Sequence, residues 1–101
     1  MRFGLNEKNI SLILNEIKSN LGSTVNPNIY IYGSRVKGNF REFSDIDLLL
    51  KADSYDERAL LHLDFSELNI PYKVDFVLDK DLFEGYRDEI EGHMIKFESR
   101  A

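Results

Sequence analysis

The 101-residue chain carries 13 Lys and Arg against 18 Asp and Glu, a formal charge of −5, and no cysteine. At 11.8 kDa it has the length of one small domain, expected to span 1–101, and its 43% apolar and 31% charged residues are those of a folding chain rather than a disordered one. Zero cysteine excludes a disulfide framework, a thiolate nucleophile and a cysteine zinc site; His62 and His93 cannot make a zinc centre alone. Seven carboxylates between Asp75 and Glu91, against only Lys80 and Arg87, argue against wrapping long nucleic acid, which needs clustered cations. The longest apolar run, Ile46–Leu50, is interrupted by Asp47, and the first residues hold no signal-peptide pattern, so neither a membrane span nor a secretory leader is expected and a cytoplasmic location is the default.

The chain shows no repeat, low-complexity tract or linker. From Asn6 to Leu21, Ile10, Ile13, Leu14, Ile17 and Leu21 recur at helical spacing, with Gly22 placed to cap the end. Asn28 to Tyr32 is β-branched and aromatic, launched from Pro27 and stopped by Gly33, and reads as a strand. Gly38 ends a short turn or helix. Asp45 to Leu50 reads as a second, largely buried strand. Ser54 with Glu57 forms a capping box, opening a helix that carries Leu60, Leu61, Leu63, Phe65 and Leu68 up to Pro71. Tyr72 to Leu78 is a third strand. Leu82, Phe83, Tyr86 and Ile90 predict a helix over 79–91, with Gly92 at its end and a last short strand from Met94 to Phe97. The expected fold is α/β (α+β), a small mixed sheet flanked by helices.

On a strand, side chains two residues apart share a face, so Asp45 and Asp47 emerge together while Ile46, Leu48 and Leu50 face the other way. If the third strand lies beside the second, Asp75 joins them. Clustered like charges oppose one another's ionisation, an objection that a divalent cation removes; Mg2+ takes oxygen ligands and is commonly held by one or two carboxylates together with substrate phosphates. Upstream, Gly33-Ser34-Arg35-Val36-Lys37-Gly38 offers backbone amides, a hydroxyl and two cations in one short loop, the composition of a phosphate cradle. It matches neither the Walker loop nor a dinucleotide fingerprint.

Gly33-Ser34, ten residues, then Asp45-Ile46-Asp47 resembles the signature of the nucleotidyltransferase superfamily that includes DNA polymerase beta, and within it the minimal nucleotidyltransferases. The opening helix, the Gly-Ser turn, the Ser-Asp-Ile-Asp-Leu strand and the Val74-Asp75-Phe76-Val77 strand follow that family's order, with Val36 and Lys37 departing mildly from a Gly-Ser-Arg-Ala-Arg-Gly loop. The resemblance implies a palm-like fold in which Asp45, Asp47 and Asp75 are catalytic and hold two Mg2+ ions. It also implies ATP as nucleotide donor, with Gly33 and Ser34 at its phosphates. Arg35 and Lys37 are placed to neutralise the triphosphate; for Arg35 a salt bridge to the acidic surface is the competing reading. His62, between leucines, reads as a partly buried structural residue and His93 as an exposed one, and Tyr30, Tyr32, Phe40, Phe43 and Tyr72 read as core or rim aromatics, one of which could stack on a base.

Larger relatives carry an acceptor-binding domain, and no such domain is expected from this sequence. Minimal nucleotidyltransferases are commonly paired with a small HEPN-domain protein encoded nearby, and the resemblance implies transfer of AMP to a tyrosine of that HEPN ribonuclease toxin, with this chain as antitoxin. Two alternatives stay open: transfer to a small hydroxylated molecule such as an aminoglycoside, and a noncatalytic antitoxin that inhibits by binding alone. The modified residue, nucleotide preference, number of nucleotides added and oligomeric state, homo- or hetero-oligomeric, are not set by this sequence.

Overall fold

A computed structural model describes residues 2–21, 28–51 and 57–99. The Gly22 cap, Pro27 and the Ser54 end of the capping box lie outside the described residues. The elements are helix α1 (Glu7–Leu21), strand β1 (Asn28–Tyr32), the one-turn helix α2 (Ser34–Lys37), strand β2 (Ile46–Lys51), the short helix α3 (Glu57–Leu60), strand β3 (Val74–Leu78), helix α4 (Glu84–His93) and strand β4 (Ile95–Lys96). The four strands form one sheet in the order β3-β2-β1-β4. β1 runs antiparallel to β2 and β4, and β2 runs parallel to β3, which makes the sheet mixed, as expected.

Helix α1 begins where Asn6 caps it: the Asn9 amide donates to Asn6 Oδ1 at 2.8 Å, satisfying one of the donors a helix start leaves over. Its predicted stripe, Ile10, Ile13, Leu14, Ile17 and Leu21, is buried against Ile29, Ile31, Ile46, Leu48 and Leu50 of the sheet, with Leu5 and Phe97 closing the cluster. Each of these side chains contributes on the order of 1.5–3 kcal/mol by leaving water. The alternation that sends Ile29 and Ile31 inward leaves Tyr30 and Tyr32 on the opposite face, and in β2 it leaves Asp47, Leu49 and Lys51 there. Asp47, one of the carboxylates singled out above, lies on that second face.

Two expected helices are corrected. Of the segment expected to run helically from Ser54 to Pro71, the described residues are α-helical over Glu57–Leu60 and continue through a turn and a 3-10 turn at Phe65–Glu67. Asp64 is the reason at the break: its carboxylate accepts from the Ser66 amide at 3.0 Å, a local bond that competes with the helical ladder. Leu60, Leu63, Phe65 and Leu68 still pack on the core, reached through an irregular path, while Leu61 points outward at 83% exposure. The second helix starts later than expected, because Asp79–Asp81 forms a 3-10 turn, and ends later, at His93 past Gly92. Phe83 and Tyr86, expected on its apolar face, are 78% and 62% exposed. His62 is exposed rather than partly buried.

Candidate functional site

Parallel pairing sets Asp47 directly beside Asp75, residue for residue, and Tyr32 beside Asp47 from the other side. Adjacent strands lie roughly 4.8 Å apart, so the two carboxylates leave neighbouring strands on one face. Asp45 sits one residue before β2, whose first residue, Ile46, donates its amide to the Lys73 carbonyl at 2.9 Å; Asp45 is exposed and Asp47 and Asp75 are half-buried. Burial first, then the charges of Asp75 and Asp45, raise the Asp47 pKa above its ordinary 3.8, and Arg35 partly offsets this. The Tyr32 hydroxyl is pushed up in the same way, by burial and then by Asp47 and Asp75. The three carboxylates expected from the sequence therefore form one electrostatic cluster.

Gly33 is built into that cluster. Its backbone lies at φ 80°, ψ −151°, a region open essentially to glycine alone, and a Cβ on it would come within 2.6 Å of Asp47 Oδ2. The turn after β1 thus brings main chain against a carboxylate. From there α2 forms by the Val36 and Lys37 amides donating to the Gly33 carbonyl, each at 3.1 Å, and ends at Gly38, φ 87°, whose amide donates to the Ser34 carbonyl at 2.9 Å. Helix formation leaves the first amides of such a turn without partners inside the helix. Ser34 is half-buried at its start.

Arg35 does not meet the expectation of a phosphate or carboxylate contact. It is 2% exposed; its guanidinium donates to the carbonyls of Phe3 at 2.8 Å, Ser44 at 2.7 and 3.2 Å, and Glu42 at 3.3 Å. It is also stacked between Phe40 and Tyr72, 5.0 and 4.8 Å from the ring centroids. Five donors in a planar fork suit a buried knot of carbonyls and rings, and this one ties the N-terminal segment and the segment before β2 to α2. Its charge still reaches the acids through the interior. Lys37 remains on the surface, paired with Glu89 of α4 at 2.7 Å. Lys73 stands 3.6 Å from Asp75 Oδ1.

One residue of this site was given no role from the sequence. His93, at the end of α4, is half-buried rather than exposed, and its Nε2 accepts the Gly33 amide at 2.9 Å, while Nδ1 lies 2.8 Å from the Glu89 carbonyl. A histidine following Gly92 carries no spacing signal for a contact made sixty residues away.

The donor set suits a hard divalent cation: carboxylate oxygens on one face, with no softer ligand among them. As the side chains are turned, no three His, Asp or Glu among the described residues stand close enough to hold an ion. Asp75 lies 3.6 Å from the Lys73 ammonium, and Asp45 is exposed. Asp45, Asp47 and Asp75 are the residues that would hold the metal.

A mixed sheet with in-register aspartates on neighbouring strands, faced by a glycine-led turn, is the framework of a nucleotidyl-transfer domain. The chain belongs to the polymerase beta nucleotidyltransferase family, whose model, described as "Polymerase beta, Nucleotidyltransferase", matches residues 7–99; it is a minimal nucleotidyltransferase domain. Among solved structures it is similar to a nucleotidyltransferase-like protein from Sulfolobus solfataricus, with a TM-score of 0.51 and 17% identity over 99% of this chain and 90% of that one; at that identity the likeness shows the fold alone. No curated protein has a significant sequence match to this chain. Among the described residues no helix is long and apolar enough to cross a membrane.

Proposed function

We propose that this domain transfers AMP from Mg-ATP to a hydroxyl of a partner protein, a tyrosine of a HEPN-domain ribonuclease, and thereby acts as its antitoxin. The observation that supports transfer most directly is the pairing of Asp47 with Asp75 while Gly33 packs against Asp47 with no room for a Cβ. The protein-directed and antitoxin parts of the reading rest on the family resemblance. The antitoxin expectation places the chain in the cytoplasm.

When bound, Mg2+ supplies charge neutralisation and a template for in-line displacement at phosphorus. Asp45 and Asp47 would hold the metal that carries the nucleotide, and Gly33 and Ser34 would present the turn to its β and γ phosphates. Lys37, at the surface end of α2, exchanges its exposed pairing with Glu89 for phosphate at little cost, since solvent screens such surface pairs. Arg35 takes no phosphate: it holds α2 in place from inside. Asp75 accepts the proton of the attacking hydroxyl; that oxygen bonds to the α-phosphorus as the bond to the β-phosphate oxygen breaks and pyrophosphate leaves. The partner must hold its oxygen roughly 3–3.5 Å from the phosphorus.

The protein incubated with Mg-ATP and the HEPN-domain protein encoded beside it should raise that partner's intact mass by one adenylyl group per event, with pyrophosphate released. An unmodified partner silenced equally by wild type and by the Asp45→Asn/Asp47→Asn variant would replace this reading with binding alone. Consumption of a small alcohol, with the partner untouched, would replace it with small-molecule transfer.

A further inference from the structure

We infer that His93 is a positioning residue of the nucleotide site: its imidazole fixes Gly33 in the conformation that lets Asp47 and the Ser34 turn face the same phosphate. The inference rests on the nucleotide-transfer reading above and assigns that site a determinant outside the Gly-Ser and Asp-x-Asp segments. Three observations carry it. The Gly33 amide donates to His93 Nε2 at 2.9 Å, and a ring nitrogen that accepts there must be unprotonated. The other nitrogen, Nδ1, lies 2.8 Å from the Glu89 carbonyl one helical turn back, which assigns it the proton and locks the tautomer and the ring plane. Gly33 itself occupies a backbone region, φ 80° and ψ −151°, that glycine visits freely but that nothing in its own chemistry selects.

Glycine without an anchor would sample both signs of φ, and the turn with it. The imidazole removes that freedom at the position where a Cβ would meet Asp47 Oδ2 at 2.6 Å. The same bond takes the Gly33 N–H out of the set of donors open to phosphate, which leaves the following amides of the turn and the Ser34 hydroxyl to do that work. A second tie, Lys37 Nζ to Glu89 Oε1 at 2.7 Å, joins the far end of α2 to the same stretch of α4. Helix α4 therefore braces the turn through the half-buried His93, while the exposed Lys37–Glu89 pair joins α2 to α4 only until Lys37 turns to phosphate.

The test compares His93→Ala with His93→Gln, whose side-chain amide oxygen can still accept the Gly33 N–H. Mg-ATP affinity by calorimetry should fall about tenfold in His93→Ala, the scale of one lost hydrogen bond, and return to within about threefold of wild type in His93→Gln. Thermal melts of the two variants separate this from a general loss of fold. In wild type a scalar coupling between the Gly33 amide nitrogen and His93 Nε2 reports the bond, and Gly33 amide exchange should quicken in His93→Ala more than that of its strand neighbours. Equal affinity in wild type and His93→Ala, or an affinity loss that His93→Gln shares in full, overturns the inference. If wild type binds no nucleotide at all, the transfer reading falls, and the coupling with Gly33 exchange alone decides whether His93 sets the turn.

Discussion

Asp47→Asn is expected to make the metal-free fold more stable while disabling the site, and the size of the gain follows from the sheet. Asp47 pairs in register with Asp75, one strand spacing or roughly 4.8 Å away along the backbone; charges about 5 Å apart cost roughly 3 kcal/mol at an effective dielectric of 20 and about 0.8 kcal/mol in water. Both side chains are part-exposed, so the lower end applies, and about 1 kcal/mol is expected, or a melting temperature higher by roughly 4–8 °C in a domain of this size. The sign follows from linkage. The Asp47 pKa is raised in the folded state above 3.8, so its penalty is absent below that value, where both states are protonated, and grows as pH rises through the folded pKa. Urea unfolding in EDTA across that range should show the variant and wild type converging in acid and separating toward neutrality. Added Mg2+ should reverse the order, since a ligand at a hundred times its Kd stabilises the form that binds it by about 2.7 kcal/mol. A variant that is no more stable than wild type at neutral pH in EDTA, or a gain that persists unchanged in acid, would refute the account of a charge-strained cluster.

Asp75→Asn should lower AMP transfer by about a hundredfold, the scale of a lost general base, with a much smaller effect on Mg-ATP affinity; equal rates in a single-turnover assay would remove Asp75 from that role. Gly33→Ala should cost on the order of 1–3 kcal/mol, because it forces alanine into a glycine-only backbone region and against Asp47, and a urea midpoint equal to wild type would contradict the close approach. Arg35→Lys should destabilise the fold by about 2 kcal/mol, since an ammonium cannot reach the Phe3, Glu42 and Ser44 carbonyls together or stack between Phe40 and Tyr72. A lysine variant of unchanged stability but weakened nucleotide binding would return Arg35 to the phosphate.

Local pattern carried much of this protein. The α1 stripe and the alternation in β1 and β2 are properties of neighbouring residues, and hydrophobic periodicity alone decides which face of each element turns to the core. Gly33-Ser34 and Asp45-Ile46-Asp47 were legible for the same reason: both lie within one connected stretch whose spacing is its geometry. The residues after Ser54 were less so, because the apolar positions Leu60, Leu63 and Phe65 are buried by an irregular path as well as they would be by a helix, and Asp64 tips the balance through one local bond. What only the tertiary structure decided were the contacts between distant segments. Asp75 joins the acids because β3 pairs parallel to β2 in one particular register. Arg35, in a loop that reads as a phosphate cradle, turns inward because Phe3, Ser44 and Tyr72 arrive from three other parts of the chain to enclose it. His93 reaches Gly33 because α4 is tied back to α2 and β2 by the Lys37–Glu89 and Lys51–Glu91 pairs, contacts between distant segments that no spacing within the helix records.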